Sequence, residues 1–558
     1  MTEIEDITDL IGKFGKWQKM LFAFLSYVTA LLAFNNLNLP FIIPKIDHWC
    51  ASPYEYGNVS TEMWKNQSIP FEIVEGELIF RKCEMYEKHL GANATWNQSI
   101  IPCSTWEFDH SKYGDTITEK WNLVCNYSWL ESFVGSVHFF GYLITAFVIG
   151  HISDRFGRRP AILLCILIHS IFGIASIISP YYWAFALFRF LLSIGSSGCS
   201  ITSFVIATEA LGPEYRERAG LFLQLGWSIG HVVIPGIAWL LRDWHYLQLA
   251  CTLPYLPLLF FWRIFPESPR WLLTRGEISV VESLVKKITE INGINIDSLD
   301  VHINRLANKK QKEEEKVMRN YTFFDLFRKT DLRKLTVIQY FIWIVSLFTF
   351  YGFILNTGNL GTNVYLLQFL FGLMEFIALF LLQIFSTRAG RKTFLIVIFS
   401  LTGVLSLLTT AVPNDLSWLK AALIVTAKLF NTTIIVVMYI FTSELYPTVV
   451  RNVGIGSCSM VGGIGAVLAP FLNQANSKGQ WVIPFVILGI LNIVCVPIIL
   501  CLPETKNKVL KDFPTSYKAK KSIEMKNEAL NVILSKNDVL KAISSNDERP
   551  EEVLTKVE

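Results

Sequence analysis

The chain has 558 residues, 52% of them hydrophobic and only 17% charged, with 50 basic and 46 acidic side chains. Soluble domains carry about a quarter charged residues, so this composition excludes a string of ordinary soluble domains. The near balance of charge gives no reason to expect a nucleic-acid partner.

In chain order, the first sixteen residues are mixed and partly acidic (Glu3, Glu5, Asp6, Asp9), with no small-residue cleavage site after a short apolar core. The apolar run from Met20 to Ile43 is long enough to cross a bilayer and acts as both signal and anchor. Further runs of about 20 residues follow. Spans are expected at 18–43, 129–150, 160–179, 182–207, 219–241 and 245–265. The second set is 334–357, 362–387, 392–412, 416–441, 452–473 and 479–502. The expected organisation is an N-terminal segment 1–17, helix 1 at 18–43, a loop at 44–128 and helices 2–6 within 129–265. A linker at 266–333, helices 7–12 within 334–502 and a tail at 503–558 complete it. The fold class is all-α, membrane-spanning, with a loop domain between helices 1 and 2.

Basic residues in the short loops set orientation. Arg155, Arg158 and Arg159 follow span two, Arg216 and Arg218 span four, Arg388, Arg391 and Lys392 span eight, and Arg451 span ten. The alternate short loops carry almost none, which places both termini in the cytoplasm of a plasma-membrane protein and the 44–128 loop outside. That loop contains Asn-x-Ser/Thr sequons at Asn58, Asn66, Asn93, Asn97 and Asn126 and four cysteines, Cys50, Cys83, Cys103 and Cys125. Both suit a glycosylated, disulfide-stapled external loop; three pairings of four cysteines remain open. The same triplet at Asn320 and Asn431 falls inside or within a span. The linker carries apolar residues at helical spacing (Ile278, Val281, Leu284, Val285, Ile288), as expected of short amphipathic helices under the bundle.

The two sets of six spans repeat. Gly150-His-Ile-Ser-Asp154-Arg155-Phe-Gly157-Arg158-Arg159 between spans two and three corresponds to Ser386-Thr387-Arg388-Ala389-Gly390-Arg391-Lys392, an offset of 388 − 155 = 233. Glu209 and Glu444 end spans four and ten, offset 235, and Arg216 and Arg451 follow at the same offset. Pro266-Glu267-Ser268 and Pro503-Glu504-Thr505 end spans six and twelve, offset 237. Two parallel six-helix halves account for all four landmarks. The expected chemistry is a charge network at the helix ends, with Asp154, Glu209, Glu267, Glu444 and Glu504 pairing with Arg155, Arg158, Arg216, Arg388, Arg391 and Arg451. In an outward-facing state such pairs are expected to latch the halves together on the inside, and to break when the inside opens. Ordinary helix-end ion pairs explain the arginines but not the repeated carboxylates.

These residues resemble the major facilitator superfamily, whose Gly-x-x-x-Asp-Arg-x-Gly-Arg-Arg motif the first-half loop matches; the second-half copy has Thr387 in place of the Asp. Pro266-Glu267-Ser268-Pro269-Arg270-Trp271-Leu272-Leu273, and Glu444-Leu445-Tyr446-Pro447-Thr448 with Arg451-Asn452-x-Gly454, are similar to the organic cation, organic anion and carnitine transporter family. The long loop after span one is typical of that family, although its members often have six cysteines there. The resemblance covers essentially the whole chain and implies alternating-access transport of a small organic solute, with sodium or a proton as candidate coupled ions.

Charged residues at mid-membrane depth are functional candidates by default. Glu375 lies mid-span eight, Lys428 mid-span ten and Arg189 in span four. The competing reading is that Glu375 and Lys428 neutralise one another. The resemblance implies further positions: Glu375 matches an acidic residue of the cation pocket and Gln224 a cavity glutamine. Trp343, Phe350 and Tyr351 fall where relatives place aromatics, and Trp227 follows Gln224 by three residues. Aromatic faces suit a desolvated cation, while most rings in a chain with 41 Phe serve packing. Relatives carry a charge-selecting Asp or Arg in span eleven where this chain has Gly463. Spacing from Ile194-Gly195 to Thr208-Glu209 is similar to the carnitine branch. One acid and two bases point to a cation or zwitterion, with an organic anion as the alternative. Asn35, Asn36 and Asn38 are candidate sodium ligands. No phosphate loop, His-Glu-x-x-His or Cys-x-x-Cys motif is present, so neither an enzyme nor a cofactor or metal site is expected. A receptor or scaffold, needing no central site, is the reading from another class. A monomer is the expected transport unit.

Overall fold

A computed structural model describes residues 6–52, 60–74, 77–88, 96–212, 215–260, 267–296, 298–316, 322–385, 390–447, 450–476 and 481–505. Arg388, Thr387, Asn58, Asn93 and the tail beyond 505 lie outside the described residues, as do the side chains of Asn97 and Arg216.

The apolar runs become helices because their residues close their own backbone hydrogen bonds, the condition for crossing a bilayer. Spans one to five are α1 (Lys16–Leu37), α2 (Trp129–Phe156), α3 (Arg158–Ile177), α4 (Tyr182–Glu209) and α5 (Arg216–Leu240). The sixth, α6 (Trp244–Thr252), passes through a 3₁₀ turn at Leu253–Tyr255 into Leu256–Phe260, because Pro254 and Pro257 interrupt its donors. The second half holds α7 (Thr330–Leu355), α8 (Val364–Phe385), α9 (Arg391–Ala411), α10 (Ser417–Leu445), α11 (Arg451–Leu468) and α12 (Val482–Leu500). Among the described residues, eleven helices are long and apolar enough to span; the broken α6 region is the twelfth segment.

The helices form two bundles. In the first, α1 packs on α5 and α3 on α4; in the second, α7 packs on α11 and α9 on α10 and α12. The halves meet along two seams, α5 against α8 and α2 against α11. At the first seam Gly372 is required: a Cβ there would lie 2.8 Å from the Val232 backbone nitrogen.

One end of the bundle carries the 44–128 loop. It folds into antiparallel pairs: β1 (His48–Cys50) with β6 (Trp106–Phe108), β2 (Phe71–Val74) with β3 (Glu77–Phe80), and β4 (Glu84–Lys88) with β5 (Trp96–Pro102). Disulfides join Cys50 to Cys103 and Cys83 to Cys125, selecting one of the three pairings. The domain rests on the first half through Trp244 N–H on the Asp115 carbonyl (3.2 Å) and Lys120 Nζ on the Ser179 carbonyl (3.0 Å). Burial holds the Lys120 ammonium below its ordinary value. Asn66 and Asn126 are exposed, whereas Asn431 is fully buried and donates to the Ser346 carbonyl.

At the opposite end, the linker forms helices Pro269–Thr274, Ile278–Asn292 and Leu299–Lys316. Val281, Val285 and Ile288 are buried, as their spacing requires. Asn292 fastens the middle helix to the start of the chain, donating to the Ile11 carbonyl (2.7 Å) and accepting from Trp17 N–H (2.9 Å). Arg270 pairs with Asp6.

Candidate functional site

The repeated motifs lie together at the linker end, where each half builds the same device. Gly157 takes φ +104°, and Glu267 reaches over it to accept from the backbone N–H groups of Arg158 (2.8 Å) and Arg159 (3.1 Å). A carboxylate therefore caps the N-terminus of α3, where free donors and the helix dipole favour negative charge. Gly390 and Glu504 repeat this at α9, with Glu504 accepting from Lys392 N–H at 3.4 Å. A Cβ on either glycine would strike the capping carboxylate. Glu267 and Glu504 thus bind helix ends, whereas the sequence pointed to arginine side chains.

The arginines pair within their own halves. Arg158 forks onto Glu209 through Nε (3.0 and 3.2 Å) and Nη2 (2.7 Å) and meets the exposed Asp154 at 3.0 Å. Arg391 Nε lies 3.5 Å from Glu444, whose other oxygen accepts from Thr505 at 2.5 Å. Arg155 lies over the Phe156 ring, 5.5 Å from its centroid, and Arg451 opens α11. The Arg158–Glu209 and Arg391–Glu444 pairs lie within each half, because α3 and α9 begin beside helices four and ten of their own bundles. A latch between halves is expected in the outward-facing state, whereas here the halves are joined at the loop end. Contacts that join the halves at the loop end include Ser132 donating to the Pro470 carbonyl (2.9 Å) and Ser136 to that of Val467 (2.7 Å). Phe41 stacks on Tyr365 at 5.4 Å.

Between these ends is a fully buried ionic cluster. Glu375 of α8 faces Lys428 of α10 (Nζ–Oε1 3.6 Å) and His231 of α5 (Nδ1–Oε1 3.0 Å), all three 0% exposed. Lys428 Nζ stands 3.0 Å from the Phe350 ring centroid, a cation–π contact stronger for lack of water. Glu375 Oε2 has no hydrogen-bond partner among the described residues. His231 Nε2 faces Gln368 Oε1 at 3.2 Å, and the Gln368 amide donates to the carbonyl of Ile354 (2.8 Å) and the hydroxyl of Thr357 (3.2 Å). A cavity of about 100 Å³ at the loop end is lined by Thr357, Leu355, Lys45 and Glu131. Burial, assisted by Lys82, lowers the Lys45 ammonium.

Of the expected site residues, Glu375, Lys428, Phe350 and Tyr351 are brought together. Tyr351 packs edge-on to Phe350 (5.2 Å) and against Phe139 of the first half (4.3 Å). Trp343 is held apart: its indole donates to Thr442 (3.1 Å) inside the second half. Gln224 and Trp227 are partly exposed on α5, and no described contact links them to Glu375. Gly463 is buried, and a Cβ there would sit in ordinary van der Waals contact with Leu143 at 3.6 Å.

Arg189 occupies a second buried cluster within the first half. It donates to Gln248 (2.9 Å) and Asn38 (3.3 Å); Gln248 donates in turn to Asn35 (3.4 Å), and His138 meets Asn36 at 2.9 Å. The sodium expectation for Asn35, Asn36 and Asn38 fails here, because their amide oxygens face protein partners around a guanidinium that repels a cation. The residues that sequence reading missed are His231 and Gln368. A histidine in the apolar stretch of span five was the available signal.

Residues 89–517 match the family model described as "Sugar (and other) transporter". The chain is 33% identical over 520 residues to the organic cation transporter protein of Drosophila melanogaster, covering 91% of this chain and 93% of that one. It is 31% identical to solute carrier family 22 member 2 of Rattus norvegicus, covering 92% and 94%. Its fold is similar to that of the Escherichia coli xylose transporter XylE in a partially occluded inward-open conformation. That match has a TM-score of 0.56 at 16% identity and covers 88% of this chain and 98% of the transporter.

Proposed function

Because the chain belongs to the major facilitator superfamily and, within it, to the organic cation, organic anion and carnitine transporter family, we propose that it carries small organic cations or zwitterions across the plasma membrane by alternating access. It is a membrane transporter and not an enzyme. The observation that carries the substrate reading is the buried carboxylate of Glu375, placed where the halves meet and paired with an ammonium, that of Lys428, which lies over the Phe350 ring. A substrate ammonium takes the place of the Lys428 ammonium on both groups, and a zwitterion's carboxylate then meets the displaced Lys428. The Drosophila melanogaster relative is an organic cation transporter protein, which favours a cation.

Both termini are placed in the cytoplasm and the loop domain outside, with glycans at Asn58, Asn66, Asn93, Asn97 and Asn126, and a monomer as the transport unit. With that orientation, the contacts of Ser132, Ser136 and Tyr365 seal the external side. The site residues are fully buried, so substrate reaches them only when a seam parts. Opening outward breaks those few hydrogen bonds and ring contacts, each contributing about 1 kcal/mol. The capped α3 and α9 ends keep each half rigid as it moves.

Uptake of labelled tetraethylammonium, carnitine and para-aminohippurate tests this. Saturable uptake of one of the first two is expected. Glu375→Gln, which leaves Lys428 and His231 without a counter-charge, should reduce it at least about a hundredfold at equal surface expression. Preferred uptake of para-aminohippurate overturns the substrate class. Undiminished function in both Glu375→Gln and Lys428→Ala favours a receptor or scaffold.

A further inference from the structure

The proposal below rests on the reading of Glu375 as the cation site. His231 sits where two bonding demands meet. Its Nδ1 faces a carboxylate oxygen at 3.0 Å, and its Nε2 faces an amide oxygen at 3.2 Å. The Gln368 amide cannot turn over to help: its NH₂ already donates to the Ile354 carbonyl and the Thr357 hydroxyl, and reversal would set oxygen against oxygen. A neutral imidazole has one N–H and therefore leaves one of its nitrogen lone pairs against an acceptor. Imidazolium supplies a donor to both.

The surroundings define the charge balance. Glu375 comes from α8 and Lys428 from α10. On the α1 side, the neighbouring Gly230 meets Ala30 and Ala33, which are uncharged. Arg189 on α4 is engaged by Asn38 and Gln248 instead. The cluster therefore holds one carboxylate, one ammonium and one imidazole whose charge is set by a proton. Glu375 Oε1 is shared by Lys428 and His231, so an organic cation that takes Glu375 removes the imidazolium's counter-charge. An unpaired charge at this depth is costly.

We propose that His231 binds a proton in competition with the organic cation, making the protein a cation/proton exchanger. In each cycle a monovalent cation arriving from one side displaces the His231 proton to water on that same side. After the halves reorient, the cation is released to the other side and a proton from there takes its place, so the exchange moves no net charge. Thr357 lines the loop-end cavity and accepts from Gln368, so the imidazole lies two hydrogen bonds from that cavity. Gly372 keeps α5 and α8 close enough for the His231–Glu375 contact, which spans the two halves and so reports their separation.

The test uses the full chain in liposomes with the membrane potential clamped at zero. Labelled tetraethylammonium is followed by counterflow, which needs no net proton movement, and by accumulation against an imposed pH gradient. Wild-type protein should show counterflow. With the interior about one pH unit more acidic, it should also accumulate the cation about tenfold, with a trapped dye reporting internal alkalinisation. In His231→Gln and His231→Asn, whatever exchange rate remains should be independent of the gradient and move no protons. Counterflow without gradient-driven accumulation in the wild type overturns the proton proposal and leaves the carrier reading intact. Gradient-driven accumulation retained in both variants overturns His231 as the proton site. Absence of counterflow, with carnitine as a second probe, overturns both.

Discussion

The two halves share one plan but differ in how tightly it is executed. In the first, Arg158 forks onto Glu209 with contacts of 2.7 to 3.2 Å and is itself nearly buried. In the second, Arg391 reaches Glu444 only at 3.5 Å through one nitrogen, and Thr505 shares the carboxylate. The polar interiors differ in the same sense. Arg189 is enclosed by neutral amides of its own half, an arrangement with no reason to change during transport. Glu375 is completed by His231 from across the seam and must be remade whenever the halves move. The first half reads as the stiffer body, and the changeable chemistry lies in the second.

This contrast can be broken by experiment. The largest effect is expected from Glu209→Gln, which leaves the buried Arg158 without its forked partner and should destabilise the protein by about 3 kcal/mol. Glu444→Gln should lose only about 1 kcal/mol. Thermal unfolding of detergent-purified variants measures both, and equal shifts would abolish the distinction. Next come Gly157→Ala and Gly390→Ala. Both place a methyl group against the capping glutamate, but Gly157 has φ +104° and Gly390 φ −65°. The first should therefore be worse by a further 1–3 kcal/mol or so, read from the same melting curves. The smallest structural effect belongs to Gly463→Asp, because a Cβ there meets Leu143 at 3.6 Å without a clash. It should express normally and raise the preference for tetraethylammonium over para-aminohippurate about tenfold, or about 1.4 kcal/mol. Unchanged selectivity would remove this position from the transport path.

The features legible in the sequence were those written as length, periodicity and repetition. Twelve segments, two halves and the pairing of Glu375 with Lys428 follow from hydrophobic runs and from two opposite charges at matching depth. Arg158 with Glu209 was also legible, since both motifs end neighbouring helices. Geometry carried the rest. Glu267 and Glu504 cap helices because glycines at 157 and 390 admit them to the backbone, a relation that charge counting does not show. His231 was passed over because a histidine in an apolar run has no formal charge, and Gln368 because an amide has none at all. Trp343 looked like Phe350 in the sequence. It is separated from the site by its place two turns earlier on the same face of α7, where Thr442 accepts its N–H.

The loop domain has a mechanical consequence. Cys125, at the entrance to α2, is tied to Cys83, and Asp115 and Lys120 fasten the same domain to the first half. Its described ring contact with the second half is Tyr113 beside Tyr365, 6.2 Å between centroids. The domain is thus cargo of the first half, mounted as a visor whose free edge touches the other side. Anything attached at Asn66, whether sugar or antibody, loads one rocking body and leaves the other unburdened.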